Sequence, residues 1–162
     1  MEQTFKTNDS ISKEEKYIHF LSQFALLIEE VNNPVSILAN TSAALHDAFN
    51  FFWVGFYMVE DGQLQLGPFQ GSVACYRIKK GRGVCGTAWE REETIIVPDV
   101  HQFPGHIACS SLSRSEIVVP VIVHGEVKGV LDIDSDELNK FDEIDSKYLQ
   151  QIVNILSKEL CR

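Results

Sequence analysis

The sequence predicts an α+β single domain: a central antiparallel sheet of five to six strands with helices packed on it. Three observations lead there. Apolar residues recur at helical spacing near both ends of the chain, at Tyr17, Phe20, Leu21, Phe24, Leu27, Ile28 and Val31 and again at Ile144, Tyr148, Ile152, Ile155 and Leu156. Between them lie β-rich stretches, among them "FFWVGFYMVE", "EIVVPVIV" and "EVKGVLDID". Two short turn signals, "EDGQ" at 60–63 and His124-Gly125, join neighbouring strands as hairpins, so the sheet is antiparallel and the helices segregate onto it.

Each element has its own signal. Residues 1–11 read as a flexible arm ahead of a domain spanning 12–162. Ser12 and Glu15 match a capping box, which satisfies orphan amides at a helix start. "VNNPVS" ends that helix, and Pro34 suits the first turn of the next. In "FFWVGFYMVE" (51–60), Phe52, Val54, Phe56 and Met58 take one face, and Trp53, Gly55, Tyr57 and Val59 the other. "LQLG" is the return strand, and "VACYRI" (73–78) reads as a third. "KKGRG" is a loop, "VCGTAWERE" (84–92) a short helix, and "TIIVPD" (94–99) a strand ended by a proline. Residues 99–114 form a long loop, and loops of that length often carry function. Strands 116–123 and 126–134 follow, and Asp142 caps the last helix.

Composition narrows the function classes. The chain has 162 residues, 44% of them hydrophobic, and a net charge of −9. That charge argues against nucleic-acid phosphate as the main partner; the densest basic run, "RIKKGR", is short. The polar N-terminus lacks a signal core, and no apolar run reaches the ~20 residues of a membrane span. A cytoplasmic location is expected, where structural disulfides are disfavoured.

The four cysteines, Cys75, Cys85, Cys109 and Cys161, are therefore informative. They contain no C-x-x-C pair, which argues against a structural zinc site. Buried small hydrophobes are one reading, and the one favoured for Cys161. Cys85, beside glycines in "GRGVCGTAW", and Cys109, in a serine-rich loop after "FPGH", equally suit thiols that must be reached and must move. His106 stands three residues from Cys109 and is a candidate base for it. Asp132 and Asp134 share a strand face, where they either bind a cation, such as an ammonium or a metal, or form a solvated strand end. Trp53 and Tyr57 also share a face. With Gly55 between them they form either a flat-walled slot for an apolar ligand group or ordinary core packing.

Taken together, "WVGFY" at 53–57, "GPFQG…ACYRI" at 67–78, "GRGVCGTAW" at 82–89, "VPDVHQFPGHIACSSLSRSEIVVPV" at 97–121 and "GVLDIDS" at 129–135 resemble the free methionine-(R)-sulfoxide reductases, single GAF-domain enzymes. The resemblance covers roughly residues 15–160 and leaves the arm and Cys161 outside. It implies a GAF-like catalytic domain over 12–162. It implies Cys109 as nucleophile, Cys85 as the main resolving cysteine and Cys75 as an additional one. Glu116, Asp132 and Asp134 match acids that line the substrate site, and Trp53 and Tyr57 match its aromatic wall. No bound cofactor is implied: electrons come from thioredoxin, with NADPH upstream. A homodimer is common among such domains.

The chemistry fits these roles. Reduction of a sulfoxide by a thiol needs attack at sulfur and a proton for the departing oxygen. Burial and neighbouring carboxylates keep an acid protonated, so Glu116 beside Asp132 and Asp134 suits that task. The resulting cysteine sulfenic acid condenses with a nearby thiol. The alternative is a non-catalytic GAF module that binds a small ligand or senses redox state. It shares the fold, so only the site and the domain context separate the two.

Overall fold

The computed structural model describes residues 4–162. Among these, residues 4–11 form no helix or strand, but Phe5 is buried, its ring 5.1 Å from that of Phe20. The expected capping box is present: Ser12 accepts from Glu15 N, and Glu15 accepts in return at the head of α1 (Lys13–Ile28). The second helix, α2 (Pro34–Phe49), starts on Pro34 behind an Asn33 cap, so the helix break falls where the proline placed it.

Next come β1 (Trp53–Glu60) and β2 (Gln63–Gln70), joined by Asp61 and Gly62. Both turn residues have positive φ, 51° and 73°, the geometry that a tight hairpin needs and that Asp-Gly tolerates. The chain continues through β3 (Arg77–Ile78), α3 (Gly83–Arg91) and β4 (Ile95–Val97). It then runs through a long loop to β5 (Ser115–Val123), β6 (Glu126–Ser135) and α4 (Glu143–Leu160). Asp142 caps α4 by accepting from Ile144 N and Asp145 N. The sheet has six antiparallel strands in the order β3-β2-β1-β6-β5-β4.

The sheet divides the apolar interior in two. One face carries Val54, Phe56, Ile117, Val119, Leu131 and Ile133 and packs against α1, α2 and α4. A buried polar knot fastens those helices: Asp145 of α4 accepts from Tyr17 and from Lys13 of α1, both at 2.7 Å. The other face carries Trp53, Tyr57, Val118 and Val130 and is covered by α3 and the loops. This second, smaller core contains the candidate site.

One expected strand is shorter than the sequence implied. Only Arg77 and Ile78 of "VACYRI" join the sheet. The preceding carbonyls go elsewhere: Ser72 O accepts from the Trp53 indole and Cys75 O from the Tyr57 hydroxyl, each at 2.9 Å. Side-chain donors thus hold residues 72–75 off the sheet edge. Among the described residues, no helix is long and apolar enough to cross a membrane.

Candidate active site

Residues paired across antiparallel strands point to the same side of a sheet. Glu116 of β5 is opposite Asp134 of β6, and Asp134 is opposite Trp53 of β1. Two residues along, Asp132 lies between Val118 and Gly55, and in the next row Tyr57 faces Val130. The period-2 reading of the two aspartates and the two aromatics therefore holds, and strand pairing brings Glu116 to them. Glu116 is 5% exposed and Asp132 6%, while Asp134 is half-buried.

The short helix completes the cluster. Cys85 is in the first turn of α3, and its Sγ lies 4.0 Å from Glu116 Oε1. The next residue has to be small: a Cβ on Gly86 would stand 2.4 Å from the Lys79 carbonyl oxygen. Gly86 thus lets the start of α3 press against the loop after β3, which seats Cys85 under the acids. Cys85, Glu116 and Asp132 each offer a sulfur or oxygen atom within 4.8 Å of the others.

Burial sets the electrostatics. Glu116 is pushed well above the usual carboxylate range by burial, then by the charges of Asp132 and Asp134. Asp134 is raised well by burial and by Asp132. Asp132 is raised by burial too, with the neighbouring Glu116 and Cys85 groups offsetting part of the rise. Three carboxyls sharing one low-dielectric space resist ionising together, and burial with two neighbouring carboxyls favours the protonated form of Glu116. Burial, followed by Asp132 and Glu116, also pushes the Cys85 thiol well up. His106 Nε2 lies 3.8 Å from Glu116 Oε2. Burial and His101 lower that histidine while burial raises Glu116, so both shifts disfavour an ion pair at this contact.

Over this cluster lies a disulfide between Cys75 and Cys109, with their Cα atoms 5.4 Å apart. This differs from the expected pairing. The resemblance made Cys85 the main partner of Cys109, yet Cys85 is a buried free thiol and Cys75 holds the bond. The physical reason is placement. Cys85 is fixed in a helix beneath the acids, whereas Cys75 and Cys109 both lie on loops that meet above them. Cys161, expected to be a buried small hydrophobe, is instead exposed next to the C-terminus, beyond the packed part of the last helix, and stands apart from the site.

Of the site residues expected from the sequence, all but Cys75 line one cavity of about 40 Å³: Trp53, Tyr57, Cys85, Cys109, Glu116, Asp132 and Asp134. That space holds a few waters and is too small for an amino acid while the disulfide is closed. Of the two readings left open at Gly55, a ligand slot or core packing, the structure shows packing. Phe69 lies opposite that glycine, and a Cβ on Gly55 would meet Phe69 Cβ at 2.3 Å. Gly55 makes room for Phe69, which stacks on Trp53 at 5.2 Å and steadies the aromatic wall. A bulge between Gly55 and Tyr57 sets that register, and hairpin counting from the turn does not foresee it. Ser72, whose carbonyl positions Trp53, was also missed; backbone acceptors leave no trace in residue type.

Comparison with known proteins bears on the same residues. The GAF domain family matches residues 33–160. GAF domain-containing protein A of Dictyostelium discoideum is 62% identical, over 90% of this chain and 92% of its own length. The free methionine-R-sulfoxide reductase of Escherichia coli is 46% identical, over 93% of this chain and 92% of its own. The solved structure of the free methionine-R-sulfoxide reductase from Neisseria meningitidis, in complex with its substrate, superposes with a TM-score of 0.94. It is 47% identical to this chain, with 98% of this chain and 95% of that one covered.

Proposed function

The chain belongs to the GAF family and, within it, to the free methionine-R-sulfoxide reductases, and from that premise we propose that it reduces free L-methionine-(R)-sulfoxide to methionine. The observation that carries the reading is the Cys75–Cys109 bond standing over a cavity lined by three clustered acids, Glu116, Asp132 and Asp134.

In the reduced enzyme the Cys109 thiolate attacks the sulfoxide sulfur, and Glu116 gives its proton to the oxygen. The sulfur–oxygen bond breaks and the oxygen passes as hydroxide to the Cys109 sulfur, whose bond to the substrate sulfur breaks in turn with its electron pair left on methionine. Methionine leaves reduced by two electrons, and Cys109 is left as a sulfenic acid. Asp132 and Asp134 hold the α-ammonium, and Trp53 and Tyr57 wall the apolar part of the substrate. The Cys75 thiol then attacks the Cys109 sulfenic sulfur, water leaves, and the disulfide forms. Its presence in the structure supports Cys75 as the resolving thiol. Cys85 stays under the acids, where its thiol faces Glu116. A dithiol protein of the thioredoxin type reduces the bond and reopens the cavity, with NADPH upstream.

The experiment is a coupled assay with thioredoxin, its reductase and NADPH, run separately with the (R) and (S) epimers of free methionine sulfoxide. NADPH oxidation with the (R) epimer alone is expected. Turnover of the (S) epimer, or of neither, would overturn the reading.

A further inference from the structure

One oxygen in the cavity has nothing to do in the disulfide-bonded state. Asp132 Oδ1 is buried and has no hydrogen-bond partner, an arrangement that is disfavoured unless a further group meets it. Asp132 itself is 94% buried, being 6% exposed, and lines the cavity. The Cys85 thiol and a Glu116 oxygen converge on the same space, all three donor atoms lying within 4.8 Å of one another.

This donor set is selective. One sulfur and two carboxylates suit a borderline-soft divalent cation; calcium and magnesium take oxygen and leave thiols alone. Zinc binds sulfur at about 2.3 Å and carboxylate oxygen at about 2.0–2.2 Å, so tetrahedral neighbours lie roughly 3.5 Å apart. The Cys85 Sγ to Glu116 Oε1 separation, 4.0 Å, closes to that by a small shift. A cavity of about 40 Å³ has room for one ion and a water as fourth ligand, but not for an amino acid.

We propose that Cys85, Glu116 and Asp132 form a binding site for a thiophilic divalent cation of the zinc class, which occupies the cavity in competition with the substrate. The Cys85 thiol and the Glu116 carboxyl release their protons to solvent as the cation binds. None of the three residues lies in a C-x-x-C pair; α3, β5 and β6 bring them together from three parts of the chain. The competition rests on the methionine-sulfoxide reading of this cavity, whereas binding of the cation does not.

The test uses cadmium as a spectroscopic stand-in for zinc. In full-length Cys161→Ser protein with the Cys75–Cys109 bond intact, Cys85 is the sole thiol. Cadmium is expected to raise a thiolate-to-metal charge-transfer band that saturates at one ion per chain and is chased by zinc. Glu116→Gln and Asp132→Asn both keep the thiol, and each should weaken cadmium by about tenfold or more, roughly 1.4 kcal/mol. Absence of a band, or unchanged affinity in both carboxylate variants, would overturn the site. Cys75→Ser/Cys109→Ser/Cys161→Ser protein cannot turn over. In it, free methionine-(R)-sulfoxide should raise the apparent cadmium Kd by about tenfold or more. An unchanged Kd would overturn the competition. Cadmium binding without any calorimetric binding of methionine sulfoxide would instead sink the substrate reading and leave the metal site standing.

Discussion

The Tyr57 hydroxyl donates to the Cys75 carbonyl at 2.9 Å, so a side chain of the aromatic wall holds the backbone of a cysteine in the redox pair. Burial pushes the Tyr57 phenol far above its usual range, with Asp132 and Cys85 adding to the rise, which keeps it a donor. A buried hydrogen bond of this kind contributes about 0.5–1.5 kcal/mol. Tyr57→Phe keeps the ring and loses the tether. It is expected to slow disulfide closure several-fold after the first methionine is released, with little effect on that release. Stopped-flow thiol trapping separates the two steps. Equal closure rates would remove Tyr57 from the positioning of Cys75.

The cysteine variants should divide along the observed bond. Cys109→Ser is expected to abolish methionine formation, because the thiolate makes the first bond. Cys75→Ser should release methionine once, accumulate sulfenic acid and lose thioredoxin-dependent turnover. Cys85→Ser should still close the Cys75–Cys109 bond, seen by mass spectrometry of the alkylated protein. A Cys85–Cys109 bond found in wild type after turnover would restore Cys85 to the resolving role.

Glu116→Gln keeps shape but has no proton to give, and loss of a general acid costs on the order of 10²–10⁴ in rate. Single-turnover methionine release should fall by that order while binding changes little. A rate within about threefold of wild type would take the proton from another group.

Stability should report the same proton. Glu116 has a raised pKa in the folded state, so the folded protein binds a proton that the unfolded chain releases near pH 4.3. Its contribution is fully present below that value and is lost as pH rises through the folded pKa. Wild type should therefore lose melting temperature across this window, and Glu116→Gln should flatten the profile. Parallel profiles would place the buried proton on another carboxyl.

Much of this arrangement is legible in the sequence because it follows from period and turn chemistry. The capping residues Ser12 and Asp142, the Asp61-Gly62 turn and the Asp132/Asp134 face all rest on local rules, and the structure keeps them. What was not legible depends on tertiary partners. Residues 73–75 have strand composition, but Tyr57 and Cys109 hold Cys75 away from the sheet. The Gly55 gap is real, but Phe69 occupies it through a one-residue bulge. The partner of Cys109 could not be read from spacing, since two other cysteines precede it and only the folded loops decide which one meets it.

Specificity should follow from the acids. A free amino acid carries an α-ammonium that a peptide-bound residue lacks, and Asp132 and Asp134 lie on the cavity wall beside Glu116. An amide in that place leaves buried carboxylates without a cation. N-acetyl-methionine sulfoxide and sulfoxide-containing peptides are expected to show kcat/KM lower by about a hundredfold or more, roughly 2.7 kcal/mol. Comparable values for free and acetylated substrate would point to an enzyme that repairs proteins.

The most direct measurement is a single turnover without any reductant. Fully reduced protein is mixed with an excess of racemic free methionine sulfoxide, and methionine, residual epimers and cysteine bonds are quantified together. One methionine per chain is expected, drawn from the (R) epimer alone, with Cys75 joined to Cys109 and Cys85 still free. Methionine drawn from the (S) epimer, or none at all while the thiols stay reduced, would contradict the proposed reaction.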